Sequence, residues 1–370
     1  MPRVQYGKGQ KTDRRSTLCH LRSGAVHVGA SAPAVVYLFL LVMLGQVAMT
    51  QPDTRLNETA DALKVQHVAT FTGPGNLRWT LPPDVELALR IIAGPPDSPP
   101  KDGKMQVPTA VVTDSQNRLL VADAGPMAVH VFDFAHRKYF DIDARQSGMR
   151  SMAAIAVDDR NRIYISDSLL GKIFIFTGKG KFLGYFQNRK GQESYYMSPV
   201  GIAIDHAHGY IYVCDRDRNM VIKADESGHV LQHFGTRGGG NGPGDFRKPT
   251  QIAIARGEIF VLDSGNDRIQ QLNSKGEFLR EVRIPEGAGL AVDKEKRILL
   301  SEPTIHRITV YRNDGNLMTK FGDEGVPQGE SFDPSSLWLQ SDHCLYVADK
   351  NNKRVELFQV GSYSGKSCPR

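Results

Sequence analysis

The chain has 370 residues, 40% of them hydrophobic and 23% charged, with 36 Gly, 20 Pro and a formal charge of +6. The charge is concentrated at one end: residues 1–50 hold six basic residues and one acid, which leaves 40 basic against 39 acidic residues in the remainder. A remainder so close to neutral lacks the electrostatic footprint of a phosphate-backbone binder, so no nucleic-acid partner is expected.

In chain order, the basic leader precedes an apolar run, Ala34 to Met49, broken only by Gly45 and Gln46. A basic flank followed by an apolar stretch predicts export with the basic end inside. The run suits either a cleaved signal peptide or an uncleaved anchor, since a full span needs ~20 residues. Both place residues 51–370 outside the cytoplasm, periplasmic or secreted, with membrane contact only through residues 34–49. The absence of a Cys just after the run argues against lipid attachment. Residues 51–84 are polar and carry prolines, ending in Trp79-Thr-Leu-Pro-Pro83. They read as an extracytoplasmic linker, or as a tether lying along the domain with Trp79 packed on it.

From residue 107 onward one unit recurs. Its marker is a short apolar strand ending in an acid: Leu119 to Asp123, Ile163 to Asp167, Ile211 to Asp215, Ile259 to Asp263, Ile298 to Glu302 and Leu345 to Asp349. The acids are 44, 48, 48, 39 and 47 residues apart. Six residues after each acid stands a β-branched residue: Val129, Ile173, Val221, Ile269, Ile308 and Val355. A fixed inner offset with variable outer spacing means a constant hairpin and variable loops. Units of roughly 45 residues made only of strands and turns are blades of a β-propeller. In the third unit the pattern predicts strand a at 201–205, b at 211–214, c at 221–224 and d at 229–234. The fold is therefore all-β, a six-bladed propeller over 85–360, followed by a tail at 361–370. The sixth unit supplies only strands a to c, and Val85 to Ile92 is expected to complete it as a clasp strand.

Several stretches resemble the NHL repeat: Pro249-Thr-Gln-Ile-Ala-Ile, Phe260-Val-Leu-Asp263, Asn266-Asp-Arg-Ile269 and the Gly-rich Phe234 to Phe246. Pro199 to Asp205 with Ile211 to Asp215, and Asp349 to Val355, are further matches. The Trp79…Pro82-Pro83…Arg90-Ile91 segment is similar to exported bacterial proteins of this propeller type. The resemblance implies a six-bladed ring whose blades serve as scaffolds, receptor ectodomains or lyases. Two units depart from it: the first has Pro126 and Ala128 where a turn and a basic residue belong, and the fifth has Glu302-Pro303.

The terminal acids Asp123, Asp167, Asp215, Asp263, Glu302 and Asp349 read as structural turn caps, paired where a basic residue follows, as at Lys172, Arg268, Arg307 and Arg354. Arg216, Arg218, Arg237, Arg268, Lys350 and Lys353 are the candidate residues for a protein or peptide partner, on the face that carries the b–c and d–a loops. The strand-a starts contain no His or acid, and there is no Gly-x-Ser-x-Gly elbow, so neither a catalytic residue nor a metal ligand is assigned and no cofactor is expected. Whether a structural calcium is present is left open by the sequence. Gly238 to Gly244 precedes a strand rather than a helix, which removes the helix-dipole part of phosphate binding. These features favour a non-catalytic scaffold; a divalent-metal propeller lyase or lactonase is the alternative. Cys19 lies in the leader, and Cys214, Cys344 and Cys368 come after it; Cys344 and Cys368 could pair.

Overall fold

The computed structural model describes residues 63–77, 103–186, 195–322, 325, 328–331, 333–341, 343–361 and 368. It contains 24 strands in six four-stranded antiparallel sheets. Blade 1 is β2 (Pro108–Thr113), β3 (Leu119–Asp123), β4 (Ala128–Asp133) and β5 (Lys138–Asp143). Blade 2 is β6 (Ala154–Val157), β7 (Ile163–Asp167), β8 (Lys172–Phe176) and β9 (Phe182–Tyr185). Blade 3 is β10 (Pro199–Asp205), β11 (Tyr210–Asp215), β12 (Met220–Asp225) and β13 (Val230–Phe234), within two residues of the expected bounds. Blade 4 is β14 (Pro249–Ala255), β15 (Glu258–Asp263), β16 (Arg268–Leu272) and β17 (Phe278–Arg283). Blade 5 is β18 (Leu290–Val292), β19 (Ile298–Glu302), β20 (Arg307–Tyr311) and β21 (Leu317–Phe321). Blade 6 is β22 (Pro334–Gln340), β23 (Cys344–Asp349), β24 (Arg354–Val360) and β1 (Val65–Phe71).

The innermost strands touch in the cyclic order β2, β6, β10, β14, β18, β22 and back to β2. Packing explains the ring. Side chains on a strand alternate between faces, so each blade has two apolar faces and no core of its own. In β3, Leu119 and Val121 pack toward blade 6, while Leu120 and Ala122 pack toward blade 2. Six apolar clusters result, one at each blade–blade interface.

Local rules repeat from blade to blade. In four blades the innermost strand begins with a proline opposite the terminal acid of strand b: Pro108, Pro199, Pro249 and Pro334. Proline has no N–H to donate and is tolerated at the first residue of a strand. The residue before each strand c has positive φ: Met127, Gly171, Asn219, Asp267, His306 and Lys353.

The clasp is present, but it is built from a different segment than expected. The outer place in blade 6 belongs to β1, which pairs with β24 from Val65↔Val360 to Phe71↔Val355. Residues 85–92, assigned there from sequence, lie outside the described residues, as do the apolar run 34–49 and Trp79. Register identifies β1 as a true fourth strand. A bulge sets out Leu183, Leu231, Leu279 and Met318 at one position in blades 2 to 5, and Val68 occupies that position in β1. Phe71 is buried, with ring centroids 6.1 Å from Phe132 and 5.3 Å from Phe134 in blade 1. His67 Nε2 and Thr70 Oγ1 each lie 2.6 Å from Oε2 of the buried Glu356. The same joint holds the pairing that the sequence left open: Cys344 and Cys368 form a disulfide.

Candidate functional site

The six terminal acids are buried. Four of them cap backbone amides of the turn or of the segment leading into their own blade. Asp123 accepts the amides of Gln106 (2.6 Å), Val107 (2.7 Å) and Gly125 (3.0 Å). Asp167 accepts Arg150, Leu169 and Leu170; Asp215 accepts Met197 and Ser198; Asp263 accepts Arg247. Each of these four therefore ties its hairpin to a lead-in loop 16 or more residues earlier in sequence. Lys172 does not close on Asp167; its ammonium stands over the Tyr185 ring, 4.7 Å from the centroid.

Arg268, expected to meet a partner, is instead an interior clamp. It is 2% exposed, and all five guanidinium N–H groups are used. They go to Asp263 (2.8 Å), Glu281 (2.7 Å) and the carbonyls of Asn241 (2.9 Å), Gly242 (3.0 Å) and Asp245 (2.9 Å). Asn266 adds a bond to the Gly240 carbonyl. The Gly-rich loop is thus shaped by one buried cation holding its carbonyls. Blade 6 uses the same device, with Arg354 on the Glu330 carbonyl and Asn352 on that of Gly325.

Blade 1 has Ala128 at the clamp position, and a histidine two residues on replaces the missing cation. His130 is 2% exposed, with Nε2 3.0 Å from Asp123 and Nδ1 2.8 Å from Asp141 and 2.6 Å from the Tyr139 hydroxyl. Burial alone would favour the neutral ring, but the two carboxylates outweigh it and raise its pKa to about 9. Asp123 is held below the usual carboxylate range in spite of its own burial, chiefly by His130 and the amides it accepts.

The remaining predicted cations divide into two places. Arg216, Arg218 and Arg237 sit on the loop face of blade 3, where the structure adds Arg247 and Lys248, both exposed. The Lys248 amide donates to Asn219 Oδ1 at 2.9 Å, which draws the 235–248 loop against the 216–219 turn. Arg218 is partly committed, to Asp215 (3.3 Å) and the Tyr195 carbonyl (2.5 Å), with its guanidinium over the Tyr195 ring. Arg216 pairs with Asp217 at 3.0 Å. On the same face Leu169 is 76% exposed and Met197 57%. Lys350 and Lys353 lie in blade 6, across the ring from blade 3, and Lys350 is bound to Asp333 at 3.0 Å. Sequence reading missed Arg247, Lys248, Leu169 and Met197; the Arg-Lys pair directly before Pro249 was the available signal.

The axis holds a cavity of about 190 Å³ lined by the innermost strands of all six blades, including Ala154, Ile202, Gln251, Leu290, Ser336 and Trp338. Its described lining has one imidazole, His206, and no carboxylate. His206 Nδ1 lies 2.6 Å from Asp159 of the neighbouring blade. Burial pushes the Cys214 thiol up, which leaves it inert at neutral pH. Among the described residues, one set of three His, Cys or acidic ligand atoms converges: His343, Cys344 and Cys368. Sequence reading assigned no metal ligand there.

No protein-family model matches the chain. Over 136 residues, 35% of this chain, it is 28% identical to the protein brain tumor of Drosophila melanogaster. The match spans only 13% of that relative. Two solved structures share the fold. One is a streptogramin B lyase (TM-score 0.53, 11% identity, 81% of this chain and 98% of that one). The other is a Bacteroides thetaiotaomicron protein of unknown function (TM-score 0.54, 12% identity, 80% and 76%). At such identities the likeness extends to the propeller and no further.

Proposed function

We propose that this chain is an exported, non-catalytic propeller of the NHL type that holds a protein or peptide partner on the face carrying its b–c and d–a loops. The observation that carries this reading is that Arg216, Arg237, Arg247 and Lys248 share a loop face with exposed Leu169 and Met197, on a domain that is otherwise close to neutral. Exposed apolar side chains and arginines on one face are the makings of an interface. Export is supported by the apolar run at 34–49 and by the Cys344–Cys368 disulfide, a bond that persists in oxidising compartments. The alternative of a divalent-metal lyase or lactonase gains only a fold likeness, and the cavity lining has no carboxylate among its described residues to hold a hard cation.

The test is comparative capture from envelope extract with the full chain and an Arg216→Glu, Arg237→Glu, Lys248→Glu variant. Arg218 is spared because it braces Asp215. Loss of the captured protein at an unchanged melting temperature is expected. Equal capture by the variant removes the patch from consideration.

A further inference from the structure

The a–b hairpin of blade 6 departs from the pattern of blades 1, 2 and 5. In blades 1, 2 and 5 strand b is entered through an arginine bonded to an aspartate four residues earlier: Arg118 to Asp114, Arg162 to Asp158 and Arg297 to Asp293. In blade 6 the residue before Leu345 is Cys344, preceded by His343, and the tail brings Cys368 to the same spot. All three are buried, and one ligand atom from each lies within 4.8 Å of the others. His343 is held by its backbone: its amide bonds to the Gln340 carbonyl, and its carbonyl accepts the Val360 amide. Its Nδ1 is 2.5 Å from the Ser341 carbonyl oxygen. A ring nitrogen facing a carbonyl must donate, so in the neutral ring the lone pair is on Nε2, the tautomer typical of a ligating histidine with a backbone acceptor behind it.

We propose that His343, Cys344 and Cys368 form a redox-gated site for a thiophilic d10 cation of the Zn2+ class. With the disulfide closed, both sulfurs are committed to each other and the site is shut. A dithiol opens it by exchange: the S–S bond takes up two electrons and two protons, and the dithiol becomes a disulfide. Zn2+ then replaces the two thiol protons, which pass to solvent, and is held by two thiolates and the imidazole. Water completes the tetrahedron. Zn–S bonds of ~2.3 Å place the two sulfurs roughly 3.8 Å apart, so the sulfurs must separate once the disulfide is reduced.

The test uses the full chain carrying Cys19→Ser and Cys214→Ala, so that no other thiol reports. Zn2+ is titrated against a chromogenic chelator before and after dithiol reduction under anaerobic conditions. One equivalent per reduced chain and none per oxidised chain is expected, with at least tenfold weaker binding in His343→Gln and Cys368→Ser. Co2+ should give thiolate-to-metal absorption in the near ultraviolet only in the reduced chain. Circular dichroism accompanies each titration. If reduction unfolds the chain, restoration of structure by Zn2+ supports the site, and failure to restore it counts against it. Equal zinc uptake by the oxidised chain, undiminished uptake by His343→Gln, or cobalt binding without a thiolate band overturns the proposal.

Discussion

Replacing His130 by Gln offers a quantitative test of how blade 1 is held together. The imidazole lies between Asp123 and Asp141, almost without solvent contact. A rise in its pKa from 6.5 to about 9 corresponds to about 3 kcal/mol of preference for the protonated ring in the folded chain. Because the folded pKa is the higher one, this stabilisation is fully present below pH ~6.5. It declines as pH rises and is gone once pH passes about 9. His130→Gln should therefore cost about 3 kcal/mol at pH 6, or roughly 6 °C in melting temperature for a domain of this size. Asp123 keeps its three backbone amides in the variant, so the loss is limited to the ion pair. The assay is thermal and urea unfolding of both proteins at pH 6, 8 and 10. The two should converge at pH 10. A gap independent of pH would mean that the ring acts by shape and hydrogen bonding and that its charge contributes nothing.

Three other outcomes are expected. Arg268→Met leaves Asp263 without its cation and takes the guanidinium from the Asn241, Gly242 and Asp245 carbonyls, of which the last two keep the Asp245 amide and Gln270, so a loss of about 3–5 kcal/mol should appear in urea unfolding, with new protease cleavage within 236–247. Phe71→Ala removes the ring that β1 inserts between blades 6 and 1 and should cost about 3–5 kcal/mol, with hydrogen exchange rising first in β1 and β24. Reducing the disulfide in metal-free buffer frees a loop of 24 residues and should lower stability by about 3 kcal/mol, read as a shift of the unfolding midpoint.

Much of the fold was legible because its logic is local. The strand-b acids and the β-branched residue six positions on belong to one hairpin, and a hairpin keeps its spacing whatever the outer loops do. The capping by Asp123, Asp167, Asp215 and Asp263 was legible for the same reason. The clasp was not. Outer strands are half exposed, so Val65 to Phe71 carries little apolar pattern, and Val85 to Ile92 reads as the better strand. What selects β1 is a set of partners about 290 residues away, the Glu356 carboxylate above all. Arg268 was misread because a cation after a turn acid looks solvated, and only the folded path of the 236–247 loop brings carbonyls to it. His130 carried a signal that could have been followed: Ala128 vacates the cation position, and a residue two further on points to the same face of the strand.

The joint between β1 and β24 has a consequence for connectivity. The Gly361 amide bonds to the Lys64 carbonyl at 2.6 Å, so the points where the chain enters and leaves the propeller are hydrogen-bonded neighbours. Topologically the domain is a closed loop nicked once, and the nick lies between the third and fourth strands of a blade. A peptide of a few residues could splice residue 361 to residue 63 and the opening could move to another exposed outer turn, with Cys368, its disulfide and its share of the interface between blades 6 and 1 given up. Where this polypeptide starts is, for the propeller, a matter of gene order rather than of architecture.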